Sequence, residues 1–382
     1  MSGVFAFALA SALSLVHALP ATAPATPEPP FQLVLPAPTG PERVGTVSLH
    51  LVDRSRPDPW VPTEPARELM VQIWYPASDV RGHPRAPWVT PGVGAVLNPP
   101  GSPVALPVTH AHTGAPVDRG RHPVIVYSPG MGQERTSSTA LVEDLASRGY
   151  VVVTIDHPHD ARVVEFPGGR LAQQALPVPT DPADMDRIVA KALAVRVTDT
   201  RFTLDRLAAL DRGHNPDEER RPLPRGLAGA LDLSRVGMVG HSLGGAAAAQ
   251  TMFEDPRVKV GADLDGTVSG TVVEGGLDRP FLLLGAPGDD PSWTALWSRL
   301  RGPRHRLELA RSGHMSFTDY QVLLPQARVP DLEPALGTID GDRSIAVQRV
   351  YLRAYFDRYL LCRDSGLLDR PSARYPEMLF QP

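Results

Sequence analysis

A chain of 382 residues, 42% hydrophobic and 21% charged, has the composition of a globular protein long enough to bury a large core. Its net charge of −4 offers no basic face, which argues against a nucleic-acid partner. The single cysteine, Cys362, excludes an intramolecular disulfide and is expected to be a buried, inert residue at the end of an apolar helix.

Residues 1–30 carry an apolar stretch, Val4 to Leu19, followed by small residues and proline. This reads as an export signal and linker with Ala18 or Ala23 before the cut, although no Lys or Arg precedes Arg43. The expectation is a secreted or cell-envelope protein, the alternative a cytoplasmic one. The stretch is too short and alanine-rich for a membrane span. Residues 31–362 read as one catalytic domain and 363–382 as a polar surface tail.

Residues 45–53 and 67–77 alternate like two antiparallel strands. Residues 86–120, rich in Pro, Gly and Thr, read as a long surface loop. "HPVIVYSPG" (122–130) is a buried strand, 137–150 a helix stopped at Gly149, and "VVVTIDHP" (151–158) a second buried strand. Strand, helix, strand in that order implies a right-handed parallel unit. Residues 161–182 are irregular. Residues 183–212 have the spacing of a long amphipathic helix, with Ile188, Leu193, Val195, Phe202 and Leu207 on its apolar face. Strands follow at 235–240, 258–266, 280–287 and 304–310, with helices at 244–253 and 343–361. The pattern predicts an α/β fold, a mostly parallel doubly wound sheet with antiparallel N-terminal strands and its chemistry at the carboxyl ends of the strands. Insertions near 86–120 and 161–230 are expected to cover the site.

Gly240-His241-Ser242-Leu243-Gly244 fits G-x-S-x-G, with a strand running in and a helix running out. A β-carbon at either glycine would crowd so sharp a turn. The turn lifts the Ser242 hydroxyl above the sheet, beside the free amides of a helix start. A serine alcohol needs a base, and only His305 and His314 follow it. His305 precedes its strand and lies at the wrong end; His314 follows that strand on a glycine-containing loop. The acid that orients the base is either Asp265, ending the strand after the elbow helix, or Asp289 or Asp290, ending the next. Asp263 should face away from Asp265. The oxyanion donors are the backbone N–H groups of Leu243 and Met131.

"DHPHDA" (156–161) could suggest a metal site, but reads better as a loop at the rim. His241 reads as a packed support residue. Trp293 and Trp297 either line an acyl pocket or pack a helix.

"VIVYSPGMGQERTSSTALVEDLASRGYVVVTIDHPHDA", "GHSLGG", "ADLDG" and "SGHMSFTD" together resemble the plasma, lipoprotein-associated type of platelet-activating-factor acetylhydrolase and its bacterial relatives. The likeness covers roughly residues 32–325. It implies an α/β-hydrolase fold, a calcium-independent esterase, and an acid on the Leu264-Asp265 pair, which favours Asp265. It also puts the oxyanion amides on Met131 and Leu243. Pro129 stands where those enzymes carry His, and "SPG" is more similar to bacterial cutinases, whose acid falls where Asp289 and Asp290 stand.

The expectation is thus a serine carboxylic-ester hydrolase with Ser242, Asp265 and His314 as its triad. It would cleave short-chain acyl or phospholipid esters through an acyl-enzyme, with no metal or organic cofactor. Its partner is a small-molecule or lipid ester, met in transient contact with a lipid surface. The alternatives are a cutinase-like polyester or triacylglycerol hydrolase, and a catalytically silent hydrolase fold used for binding.

Overall fold

Val124, Ile125, Val126 and Tyr127 are wholly buried, as are Val151, Val152 and Val153. Such runs of β-branched and aromatic residues suit strands covered on both faces. In the computed structural model, which describes residues 29–381, they form the middle of an eleven-stranded sheet. The export-signal reading lies outside the described residues.

In chain order the sheet strands are β1 (Arg43–Asp53), β2 (Arg67–Ala77), β3 (Arg85–Pro87), β4 (Val108–Thr113), β5 (His122–Ser128) and β6 (Val151–Asp156). They continue as β7 (Leu231–His241), β8 (Val258–Leu264), β9 (Phe281–Gly285), β10 (Arg304–Leu309) and β11 (Met378–Phe380). Across the sheet the order is β11-β10-β9-β8-β7-β5-β6-β2-β1-β4-β3. The six strands from β10 to β6 run parallel. β1 and β2 pair antiparallel over their full length, Arg43 opposite Ala77 and Asp53 opposite Arg67, and β2 pairs antiparallel with β6. The expected mostly parallel sheet with antiparallel N-terminal strands is what forms.

The chain steps from β5 outward to β6, then returns to lay β7 on the other side of β5. Loops leaving β5 and β7 therefore diverge at one crevice, the usual place for ligands in an open α/β sheet. One face is covered by α2 (Pro182–Asp211) and α3 (Leu243–Glu254), the other by α1 (Thr139–Ala146) and α5 (Gly341–Leu360). Proline stands in the first turn of α2, and Asp181 caps it by accepting from the Asp184 N–H at 2.8 Å. Ile188, Leu193, Val195 and Leu207 are buried as their spacing predicts, and Phe202 is half-buried. Among the described residues no helix is long and apolar enough to cross a membrane.

Four expectations need correction. Segment 86–120 is not simply a loop: β3 and β4 extend the sheet, and Trp88, Val93 and Leu97 are buried. Glu143 of α1 holds this segment by accepting from the N–H groups of His110 and Ala111, both at 2.7 Å. Within 161–230, α2 belongs to the core rather than to a cover, since one face of it packs against the sheet. The tail does not simply lie on the surface. β11 pairs antiparallel with β10, and Leu368 and Met378 are buried. Cys362, expected to be buried, is exposed because α5 ends at Leu360 and the chain turns out to solvent.

Candidate active site

Ser242 sits between β7 and α3 at φ 55°, ψ −124°, a conformation that costs a non-glycine residue strain. Its neighbours have no room to relax it. A β-carbon on Gly240 would lie 2.2 Å from Gly244, one on Gly244 1.9 Å from the Ser128 carbonyl oxygen, and one on Gly245 1.6 Å from Asp263 Oδ1. The Ser242 N–H donates to the Leu264 carbonyl at 2.9 Å, tying the turn to β8. Ala246–Ala249 are wholly buried, so α3 lies close on the sheet.

His314 begins a short 3₁₀ turn after β10, and its ring is about half exposed. Its Nδ1–H donates to Asp265 Oδ2 at 2.6 Å. The other carboxylate oxygen of Asp265 accepts the Ala286 N–H at 2.7 Å. Burial raises the Asp265 pKa, but the hydrogen bond and charge of His314 and the Ala286 amide outweigh it and leave it below the ordinary value. With Nδ1 committed, the Nε2 lone pair of His314 is free to accept a proton.

The other acid candidates are elsewhere. Asp289 is exposed. Asp290 caps α4 (Pro291–Trp297), accepting from the Ser292 N–H at 2.8 Å and from the Thr267 hydroxyl at 2.7 Å. His305 lies 2.8 Å from the Tyr359 hydroxyl. Trp293 packs under the acid loop and donates its indole N–H to the Gly266 carbonyl at 2.6 Å. The Arg304 guanidinium lies over the Trp297 ring at 4.5 Å. Both tryptophans serve packing.

His241 is wholly buried and links the loops. Its Nε2–H donates to the His314 carbonyl at 2.9 Å, and its Nδ1 lies 3.1 Å from Gln133 Oε1, which accepts the Gly130 N–H. Burial, then the neighbouring His314 charge, pushes its pKa down to about 3, so it is a neutral support. The N–H groups of Met131 and Leu243 make no hydrogen bond to a protein acceptor among the described residues. Both border the crevice between β5 and β7.

Sequence reasoning missed a second Ser-His-Asp chain. Ser128 Oγ donates to His157 Nε2 at 3.0 Å, and His157 Nδ1–H donates to Asp199 at 2.9 Å. All three are buried, so no substrate reaches Ser128. His157, from "DHPHDA", was the available signal, but its partner Asp199 lies on α2, distant in sequence. His159 of the same stretch shares a cluster with Asp58 and Glu64, donor atoms within 4.8 Å of one another. Both Asp58 oxygens are already engaged, one by the Trp60 and Val61 amides and one by Arg67, so the cluster is poorly fitted to hold a metal.

A mostly parallel sheet with an alcohol on a strained strand-to-helix turn, and an imidazole–carboxylate pair formed past the ends of β10 and β8, is the arrangement of an ester hydrolase of the α/β-hydrolase class. The family model for platelet-activating factor acetylhydrolase, isoform II, matches residues 35–269, and the chain belongs to that family. It is 28% identical over 398 residues to a probable 1-alkyl-2-acetylglycerophosphocholine esterase of Arthroderma benhamiae, spanning 92% of this chain and 94% of that one. It is 23% identical over 255 residues to the platelet-activating factor acetylhydrolase of Cavia porcellus, spanning 63% and 58%. Among solved structures, the ferulic acid esterase from Streptomyces cinnamoneus superposes with a TM-score of 0.78 at 37% identity, over 92% of this chain and 99% of that one.

Proposed function

We propose that Ser242, His314 and Asp265 form the catalytic triad of a carboxylic-ester hydrolase that prefers esters of short or compact acyl groups, including acetyl-bearing phospholipids. The observation that carries this reading is the His314–Asp265 hydrogen bond of 2.6 Å, on a loop that His241, the residue before the strained serine, ties down through the His314 carbonyl at 2.9 Å.

Asp265 holds the imidazole in the tautomer whose Nε2 accepts the Ser242 proton. The serine oxygen attacks the ester carbonyl, and the amides of Met131 and Leu243 receive the oxyanion. The imidazolium returns its proton to the leaving alcohol. Water, activated by the same imidazole, then releases the acid. The relative named for an acetyl ester and the neighbour named for a ferulic acid ester are both esterases and differ in the acyl group of those names.

Ser242→Ala should lower kcat for a short-chain aryl ester by about 10⁶-fold, while Ser128→Ala stays within about tenfold. The reverse ranking would move the nucleophile to Ser128. Comparing kcat/KM for a 2-acetyl phospholipid, methyl ferulate, tributyrin, a long-chain triacylglycerol and a polyester film tests the substrate class. A best rate on the film or on long-chain glycerides would overturn it.

A further inference from the structure

The guanidinium of Arg196, on α2, is wholly buried directly behind the loop that leaves β5. All five of its N–H groups are spent. Nε donates to Asp160 Oδ2 at 2.8 Å and Nη2 to Asp160 Oδ1 at 2.9 Å. The second Nη2 hydrogen goes to the Gly130 carbonyl at 3.0 Å. Nη1 donates to Ser128 Oγ at 3.2 Å and to the Pro129 carbonyl. Asp160 in turn accepts the Gly132 N–H at 3.1 Å. Every peptide from residue 129 to 132 thus touches either this arginine or its carboxylate.

One of these bonds bears on chemistry. The Gly130 carbonyl and the Met131 N–H belong to one peptide unit, and among the described residues no peptide bond is cis. In a trans unit the two groups point in opposite directions. The guanidinium, together with the Gln133 N–H that donates to the same oxygen at 3.1 Å, draws the Gly130 oxygen into the core and therefore turns the Met131 N–H outward, toward the crevice. A cation on the carbonyl also polarises the peptide and strengthens its N–H as a donor.

We infer that Arg196 is a positioning residue for the oxyanion hole, setting the direction and strength of the Met131 N–H donor through the peptide it shares with Gly130. The inference rests on the reading of Met131 as an oxyanion donor. It also gives α2 a role: the helix carries the arginine that braces the reacting loop from behind.

The test compares Arg196→Met and Arg196→Lys with the unaltered chain, using an aryl ester and its thionoester. Sulfur is larger and a poorer hydrogen-bond acceptor than oxygen, so a well-aimed hole favours the oxygen ester. Loss of a whole oxyanion donor costs roughly 10²–10³ in kcat. Misaiming one should lower kcat at least about tenfold, hold KM within about twofold, and shrink the ester-to-thionoester preference by a similar factor. Lysine keeps the charge but offers three donors in place of the five that Arg196 uses and no fork for the Asp160 carboxylate, so it should show the same signature in weaker form. A preference near one in the unaltered chain would refute the oxyanion reading itself. A strong preference that survives unchanged in both Arg196 variants would overturn the role of Arg196 and leave that reading standing. If neither variant folds, Asp160→Asn, which withdraws the carboxylate orienting the guanidinium, carries the same expectation and the same refutation.

Discussion

Asp263 and Asp265 stand two residues apart at the end of one strand, and their surroundings push their pKa values in opposite directions. Asp263 is wholly buried beneath the elbow, where its Oδ1 accepts the Gly266 N–H at 2.9 Å and its Oδ2 has no partner among the described residues. Burial first, then the Asp265 charge, pushes its pKa well above the ordinary value. Asp265 meets the imidazole and stays ionised. Converting Asp265→Asn should cost roughly 10⁴ in kcat. Asp290→Asn should leave kcat within about threefold and weaken the α4 cap by about 1 kcal/mol. Aryl-ester kinetics on the two variants decide it; a collapse in the Asp290 variant alone would move the acid. Glu134, buried with Oε1 unpartnered, is pushed by burial up to about 8. An acid whose pKa is raised on folding stabilises fully below its ordinary value of 4.5, and that contribution is lost as pH climbs toward about 8. The loss runs at up to about 1.4 kcal/mol per pH unit. Asp319, pushed up to about 7 by burial, adds the same sign. Glu134→Gln should therefore melt progressively higher than the unaltered chain as pH is raised from 5 to 8. A melting difference that does not change with pH would exclude this.

At the scale of elements, the β7–α3 elbow and the loop after β5 interlock. The Gly244 β-position lies 1.9 Å from the Ser128 carbonyl oxygen, so the serine turn cannot approach β5 with anything but glycine there. The obstructing atom is backbone, which cannot swing aside. Gly244→Ala should cost about 3 kcal/mol or more, the range of severe overpacking, and lower kcat more than KM. Chemical denaturation alongside ester kinetics measures both, and a stable, fully active variant would show the contact to be looser than the geometry requires. The long helix α2 was legible in the sequence from its 3.6-residue spacing. Its partners were not. Arg196 and Asp199 fall on the buried side of a helix otherwise rich in charge, and a charged residue there reads as solvated until the loops that surround it are known.

For the whole molecule, the last strand closes the sheet edge next to the histidine loop. β11 pairs with β10, the Ala310 N–H donates to the Glu377 carbonyl at 2.8 Å, and Met378 is 1% exposed. Removing residues 376–382 should cost at least about 2 kcal/mol, the burial of one Met side chain alone, and bare an edge prone to pairing with other chains. A lower melting temperature, reduced turnover and aggregation on size-exclusion chromatography are expected; unchanged melting would make the strand an ornament. This edge was misread because a three-residue strand in a polar tail has too few residues to show a period.

The strand cores, α2 and the elbow were determined by the sequence alone, since each depends on local spacing: continuous apolar runs, a 3.6-residue repeat, glycines on both sides of a serine. Which carboxylate meets His314, which tail residues complete the sheet, and which buried arginine braces the loop after β5 were decided only by the tertiary structure. Those outcomes depend on groups 49, 73 and 66 residues apart reaching hydrogen-bond distance, and no local pattern encodes which distant partner a side chain will meet.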